Sequence, residues 1–178
     1  MNELPGSNLE VLLDAETIAG RVRELAAQIS ADYRGRPLRL VGILKGAWVF
    51  LADLARHLDL EVTVDFLSIA SYGNDSHSSG VVRITKDLDQ SIEGLDVLVV
   101  EDILDTGHTF EYLRGVLEAH KPKSLKVVTL LDKSSRRVRP VEADYVGFTI
   151  PDVFVVGYGL DYSQRYRNLP DVRIWRAT

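Results

Sequence analysis

The residues with the most chemistry in them lie together, in the run VVEDILDTGHTF at positions 99–110. An apolar stretch ends at Val100 and is followed by Glu101, Asp102 and Asp105, then by Thr106, Gly107 and Thr109. Three carboxylates against a buried strand are costly unless something uses them. Two adjacent acids suit the hydroxyls of a polyol or a hydrated Mg²⁺. The compact loop from Asp105 to Thr109 holds a glycine and two hydroxyls and feeds a helix, whose free N–H groups suit a phosphate. The plainer alternative is a strand end decorated with acids, followed by a helix that Asp105 caps. There is neither a GxxxxGK[ST] loop nor a GxGxxG fingerprint.

The flanking segments supply the scaffold. Leu38 to Leu44 and Asp96 to Val100 are continuous apolar runs, as expected of strands covered on both faces. Leu125 to Leu131 is another, and Glu61 to Ala70 is rich in β-formers. Helical spacing recurs from Asp14, the expected N-cap, through Ile29, then over Leu51–Leu58 and over Phe110–His120. Short strands are expected at Val81–Thr85, Tyr145–Ile150, Phe154–Val156 and Val172–Trp175, with residues 1–10 loose or extended. Strands alternating with helices predict an α/β fold with a mostly parallel central sheet. In such sheets, ligands bind beyond the carboxyl ends of the strands, where residues 101–109 lie.

Composition narrows the class. The chain has 178 residues, 46% hydrophobic and 26% charged, which suits one globular domain. It has no cysteine, which removes disulfide scaffolds, thiol nucleophiles and Cys-type metal sites. The net charge of −5 argues against general nucleic-acid binding. Neither a secretory signal nor an apolar run of about 18 residues is found, so a cytoplasmic protein is expected. His57, His77, His108 and His120 show no ligand spacing.

The full string at 99–110 resembles the phosphoribosyl-diphosphate (PRPP) motif of type I phosphoribosyltransferases: apolar residues, two acids, two apolar residues, Asp-Thr-Gly, a variable position and Thr. Within that family the chain resembles the hypoxanthine-guanine phosphoribosyltransferase branch. LKGAWVF (44–50) resembles its pyrophosphate loop, SYGN (71–74) its lid, LLDKSSRR (130–137) its base-recognition segment, and 151–170 its hood.

The resemblance implies a single domain over 1–178 with the type I phosphoribosyltransferase fold, its small C-terminal hood built mainly from about 145–178. The implied reaction is Mg²⁺-dependent purine salvage, moving the phosphoribosyl group of PRPP to hypoxanthine or guanine and giving IMP or GMP with pyrophosphate. Glu101 and Asp102 would hold the ribose hydroxyls and metal, with Asp105 as the general base. Asp105, Thr106, Gly107, His108 and Thr109 would wrap the 5-phosphate, with no catalytic role for His108. Lys45, Gly46 and Arg167 would meet pyrophosphate, and the Lys45–Gly46 peptide can be cis in the family. Ser71 and Tyr72 would close over the site. Lys133 would donate to the purine 6-oxo group, Phe154 would stack on the ring, and Val155 would offer backbone groups. Asp161 would lie near the 2-position and help hold a second Mg²⁺. Arg136, Arg137 and Arg139 are read as a solvated face. A homodimer or homotetramer is implied, with no membrane or nucleic-acid partner. The competing readings are a PRPP-sensing regulator that binds nucleic acid, and a relative that prefers xanthine.

Overall fold

The computed structural model describes residues 7–71 and 82–177. Six strands form the central sheet: β2 (Leu38–Leu44), β3 (Val62–Ser71), β4 (Val82–Lys86), β5 (Asp96–Leu104), β6 (Ser124–Asp132) and β7 (Tyr145–Thr149). Their order is β4-β3-β2-β5-β6-β7, and all neighbours are parallel except β3 and β4. Helices α1 (Ala15–Asp32) and α2 (Trp48–His57) cover one face, packing on Leu40, Leu98, Val100, Val128 and Leu130. Helix α3 (His108–Ala119) covers the other through Phe110, Leu113 and Leu117, which meet Val41, Val97, Val99 and Val127. Apolar residues on both sides of β2 and β5 follow from this double cover. Asp14 caps α1 as expected, accepting a 2.8 Å bond from the Thr17 N–H.

Three expectations are made more specific. The strand expected to stop at Val100 runs on to Leu104, because Glu101, Ile103 and Leu104 still pair with Thr129, Leu131 and Asp132 of β6. Glu101 and Asp102 are therefore fixed by a sheet ladder rather than carried on a loop. Within the stretch expected to be loose or extended, the described residues from Ser7 on are extended. Strand β1 (Ser7–Leu13) pairs antiparallel with β9 (Val172–Ala177), a partner too distant in sequence for local pattern to reveal. Finally, the small second sheet has the order β1-β9-β8, with β8 at Val155–Val156. The hood thus draws on the N-terminal strand, while Tyr145–Thr149 belongs to the central sheet. Among the described residues, no helix is long and apolar enough to cross a membrane.

Candidate active site

The carboxyl ends of β2 and β5 are neighbours, and the turns leaving the two strands converge there. After β2 the chain turns through Lys45 and Gly46 into α2. The cis peptide is Leu44–Lys45, one bond before the Lys45–Gly46 peptide for which the resemblance left that geometry open. Gly46 lies so close to β5 that an added Cβ would sit 1.5 Å from Asp102 Oδ2. On its other side comes the hood turn. Gly159 has φ +102°, and a Cβ there would lie 2.2 Å from the Gly46 carbonyl oxygen. Two residues without side chains thus let Asp102, the Lys45–Gly46 backbone and the hood turn touch in series.

The acid pair is buried at this junction. Glu101 is buried and Asp102 nearly so, and neither makes an ion pair among the described residues. Burial, reinforced by the neighbouring Asp102 carboxylate, holds the Glu101 carboxyl well above the ordinary range. Burial also raises Asp102, opposed by the Ile103 N–H that donates to it at 2.8 Å and by the charge of Arg167.

Lys45 and Arg167 meet on the hood. Lys45 Nζ donates to Gln164 Oε1 at 3.3 Å, and Arg167 Nη2 donates to the same oxygen at 3.2 Å. Arg167 also donates to the Gly159 carbonyl at 2.8 Å and pairs with Asp161 Oδ1 at 2.7 Å. Asp161 Oδ2 accepts from the Gln164 N–H at 2.7 Å. Asp161 is therefore engaged on both oxygens as an anchor of the hood turn. Gln164, in a left-handed conformation at φ 64°, is the residue that joins these cations, and nothing in its type or spacing marked it.

Beyond β5, Asp105 begins the loop into α3. The cap of that helix is Gly107, at φ 90° and with no side-chain capping bond, so Asp105 does not serve as a cap. Asp105 Oδ1 is instead buried and accepts no hydrogen bond. The first N–H groups of α3 face the loop of Thr106, Gly107, His108 and Thr109 uncapped. Residues 137–141 brace the loop from behind. Val138 and Arg139 N–H groups donate to the Thr106 carbonyl at 3.0 and 3.1 Å, and a Cβ on Gly107 would lie 2.5 Å from Val141.

Of the arginines expected to form a solvated face, Arg136 and Arg139 are exposed and Arg137 is half-buried, and all three also reach acidic partners. Arg137 donates to the Asp105 carbonyl at 2.8 Å and pairs with Asp132. Arg139 donates to His108 Nδ1 at 3.0 Å and pairs with Glu111 at 3.3 Å. These roles escaped sequence reading because each partner lies on a different element.

The residues to which the resemblance gives base recognition fall on the turn after β6 and on the segment around β8. Lys133 follows β6 and is only 5% exposed, with no side-chain hydrogen bond or ion pair among the described residues. Phe154 is 49% exposed, its ring edge-on to Tyr162 at 5.9 Å and to Trp175 at 5.8 Å. It is thus an open aromatic face rather than core. Val155 is buried and pairs with Ile174 of β9. Ser71 ends β3 opposite Val82, and Tyr72 lies outside the described residues.

Fold and site together define an α/β protein with a buried acid pair at the end of a parallel strand, a loop leading into a helix without a side-chain cap, and a hood turn packed against the junction. The family profile of the phosphoribosyl transferase domain matches residues 8–163, and the chain belongs to that family. It is 50% identical to the hypoxanthine-guanine phosphoribosyltransferase of Bacillus subtilis, covering 93% of this chain and 92% of that protein. It is equally similar to part of the bifunctional protein TilS/HprT of Listeria innocua, spanning 93% of this chain but 26% of that larger protein. Among solved structures, a hypoxanthine phosphoribosyltransferase of Staphylococcus aureus superposes with a TM-score of 0.90 at 50% identity, over 94% of this chain and 91% of that one.

The junction makes two outcomes testable. In Gly46→Ala the added methyl group displaces the Asp102 side chain rather than backbone, so folding survives while the site is misplaced. A shift of about 1 Å costs roughly 10²-fold in kcat/KM, with circular dichroism unchanged. For Asp102, an upward shift in the folded state means that the unfolded chain gives up its proton first. Its contribution to stability therefore falls as pH rises above the unfolded value of about 4. Asp102→Asn removes that penalty. Melting curves should show the variant gaining on wild type at about pH 8 relative to about pH 4; an equal difference at both would show that Asp102 carries no such cost.

Proposed function

We propose that this chain is a purine-salvage phosphoribosyltransferase that transfers the phosphoribosyl group of PRPP to hypoxanthine and guanine, releasing pyrophosphate. The observation that carries this reading is a buried Asp105 oxygen that accepts no hydrogen bond, together with a buried Lys133 that has no side-chain partner among the described residues and a helix α3 whose N-terminus has no side-chain cap. Each is costly in an idle protein and useful around a bound nucleotide.

The 5-phosphate rests on the backbone of residues 105–109, at the N-terminus of α3. Glu101 and Asp102 hold the ribose hydroxyls. As the bond from C1 to pyrophosphate lengthens, positive charge grows on the ribose and negative charge on the leaving group. Lys45, the Gly46 backbone and Arg167 meet that leaving charge, releasing their shared Gln164 partner to do so. Asp105 accepts the proton from the purine N7. Lys133 donates to the 6-oxo group; adenine offers a donor there, so the lysine would be left buried without a partner. Phe154 stacks on the ring, and Val155 offers backbone groups at its edge.

Glu101 and Asp102 also fit Mg²⁺: they are buried carboxylates that no cation among the described residues neutralises, and Mg²⁺ is commonly held by one or two carboxylates with substrate oxygens and water. Bound there, the ion would add positive charge against pyrophosphate. Asp161 is not offered to a cation while Arg167 and Gln164 engage it, so a second ion at that residue requires the hood turn to open. Among the described residues, no group of three or more His, Asp or Glu gathers as a metal cage.

The regulator reading needs a free basic face. Arg136, Arg137 and Arg139 each have acidic partners, which leaves that turn poorly suited to nucleic acid. A cytoplasmic homodimer or homotetramer completes the proposal.

The test is ultraviolet absorbance with Mg²⁺, PRPP and one base at a time. Turnover of hypoxanthine and guanine but not adenine is expected, and turnover of xanthine alone would move the substrate assignment. Asp105→Asn should lower kcat by ~10²–10⁴-fold while PRPP binding by calorimetry is kept. No turnover with any base by the wild-type protein, despite tight PRPP binding, would favour the sensor.

A further inference from the structure

The turn after β6 carries more than Lys133. Lys133 N–H donates to the Leu104 carbonyl at 3.0 Å, and Arg136 N–H donates back to the Lys133 carbonyl at 3.0 Å. The short 3₁₀ turn Ser134–Arg136 is thereby hung on the end of β5, where Asp105 begins. Arg136 reaches out of it in two directions. Its Nε lies 3.4 Å from Asp105 Oδ1, the buried oxygen that accepts no hydrogen bond. Its Nη1 lies 3.4 Å from Asp152 Oδ1, on the hood two residues before Phe154.

We propose that Arg136 is a positioning residue for proton transfer, holding the Asp105 carboxylate toward the base site and tying it through Asp152 to the hood segment that carries the aromatic platform. This rests on the reading of Asp105 as the general base. Attraction at 3.4 Å falls short of a well-formed hydrogen bond, so Asp105 Oδ1 is steered yet keeps its capacity to accept a proton. Arg137, the next residue, grips the Asp105 carbonyl, so backbone and side chain of one aspartate are held by successive arginines. Lys133 and Arg136 share one turn, which couples the donor for the 6-oxo group to the partner of the base. With a side chain 46% exposed, the Arg136 pairs add little to folding stability, and their effect belongs in turnover.

The experiment is steady-state kinetics on wild type, Arg136→Met, Arg136→Lys, Asp105→Asn and the double variant Arg136→Met/Asp105→Asn, with melting temperatures as a check on folding. Arg136→Met should lower kcat roughly fivefold, the scale of one partly exposed ion pair, with the KM for PRPP unchanged. Arg136→Lys should recover most of that loss. On the Asp105→Asn background the Arg136 change should add nothing, because its target is already gone. The same fivefold loss on both backgrounds would overturn the proposal while leaving Asp105 as the base. Equal damage to kcat and to the KM for PRPP, or no loss in Arg136→Met, would also overturn it. Full turnover by Asp105→Asn would remove the base assignment itself, and the Arg136 proposal with it.

Discussion

The site hangs on one close contact, the stack of Asp102, Gly46 and Gly159. A carboxylate at the end of β5, the turn after β2 and the hood turn touch there, with room for no Cβ at either glycine. The rest of the site inherits its geometry from that contact. The parallel pairing of β2 with β5 brings the first two layers together. The small sheet β1-β9-β8 lowers the third onto them. Because neither glycine puts a side chain between the layers, they approach closely, and Lys45 and Arg167 are delivered to one oxygen of Gln164 from 119 and 3 residues away.

Charge is arranged around the same point with a clear division. The buried acids Glu101 and Asp102 are left without cation partners among the described residues, and burial raises both carboxyls. Of the nearby cations, Lys45 rests on neutral Gln164, while Arg167 shares that partner and also pairs with Asp161. The basic turn after β6 does the reverse: its arginines are occupied with Asp105, Asp132, Asp152 and Glu111. The first group is thus gathered at the hood turn, and the second holds the loop that begins at Asp105. Preorganisation of this kind lowers the reorganisation needed as charge develops.

The site is built on regular structure below and on an irregular turn above. Apolar residues of β2, β5 and β6 are covered on one face by α1 and α2 and on the other by α3. Glu101 and Asp102 sit inside the resulting ladder, whereas the hood loop holds Tyr158, Ser163, Gln164 and Tyr166 at positive φ. Several non-glycine residues in that conformation mark a turn held by its own hydrogen bonds and by Asp161 rather than by regular structure.

Much of this was written in the sequence. The apolar runs Leu38–Leu44 and Leu125–Leu131, the capped helix from Asp14 and the acid-loop-helix string at 99–110 each depend on residues close in the chain, where period and turn chemistry act directly. The fold class and the candidate residues came from them and from the resemblance they carried. What tertiary structure alone decided depends on partners far apart in sequence. Residues Ser7–Leu13 became a strand because β9 offers an edge. The strand through Val100 ran on to Leu104 because β6 continues to pair with it. The cis bond fell at Leu44–Lys45, which residue types do not signal. Arg136 and Arg137, which as sequence are a basic turn, became braces of Asp105 because the end of β5 lies beside them. Local pattern tells a residue which surface to face, and only the packed chain determines what stands opposite.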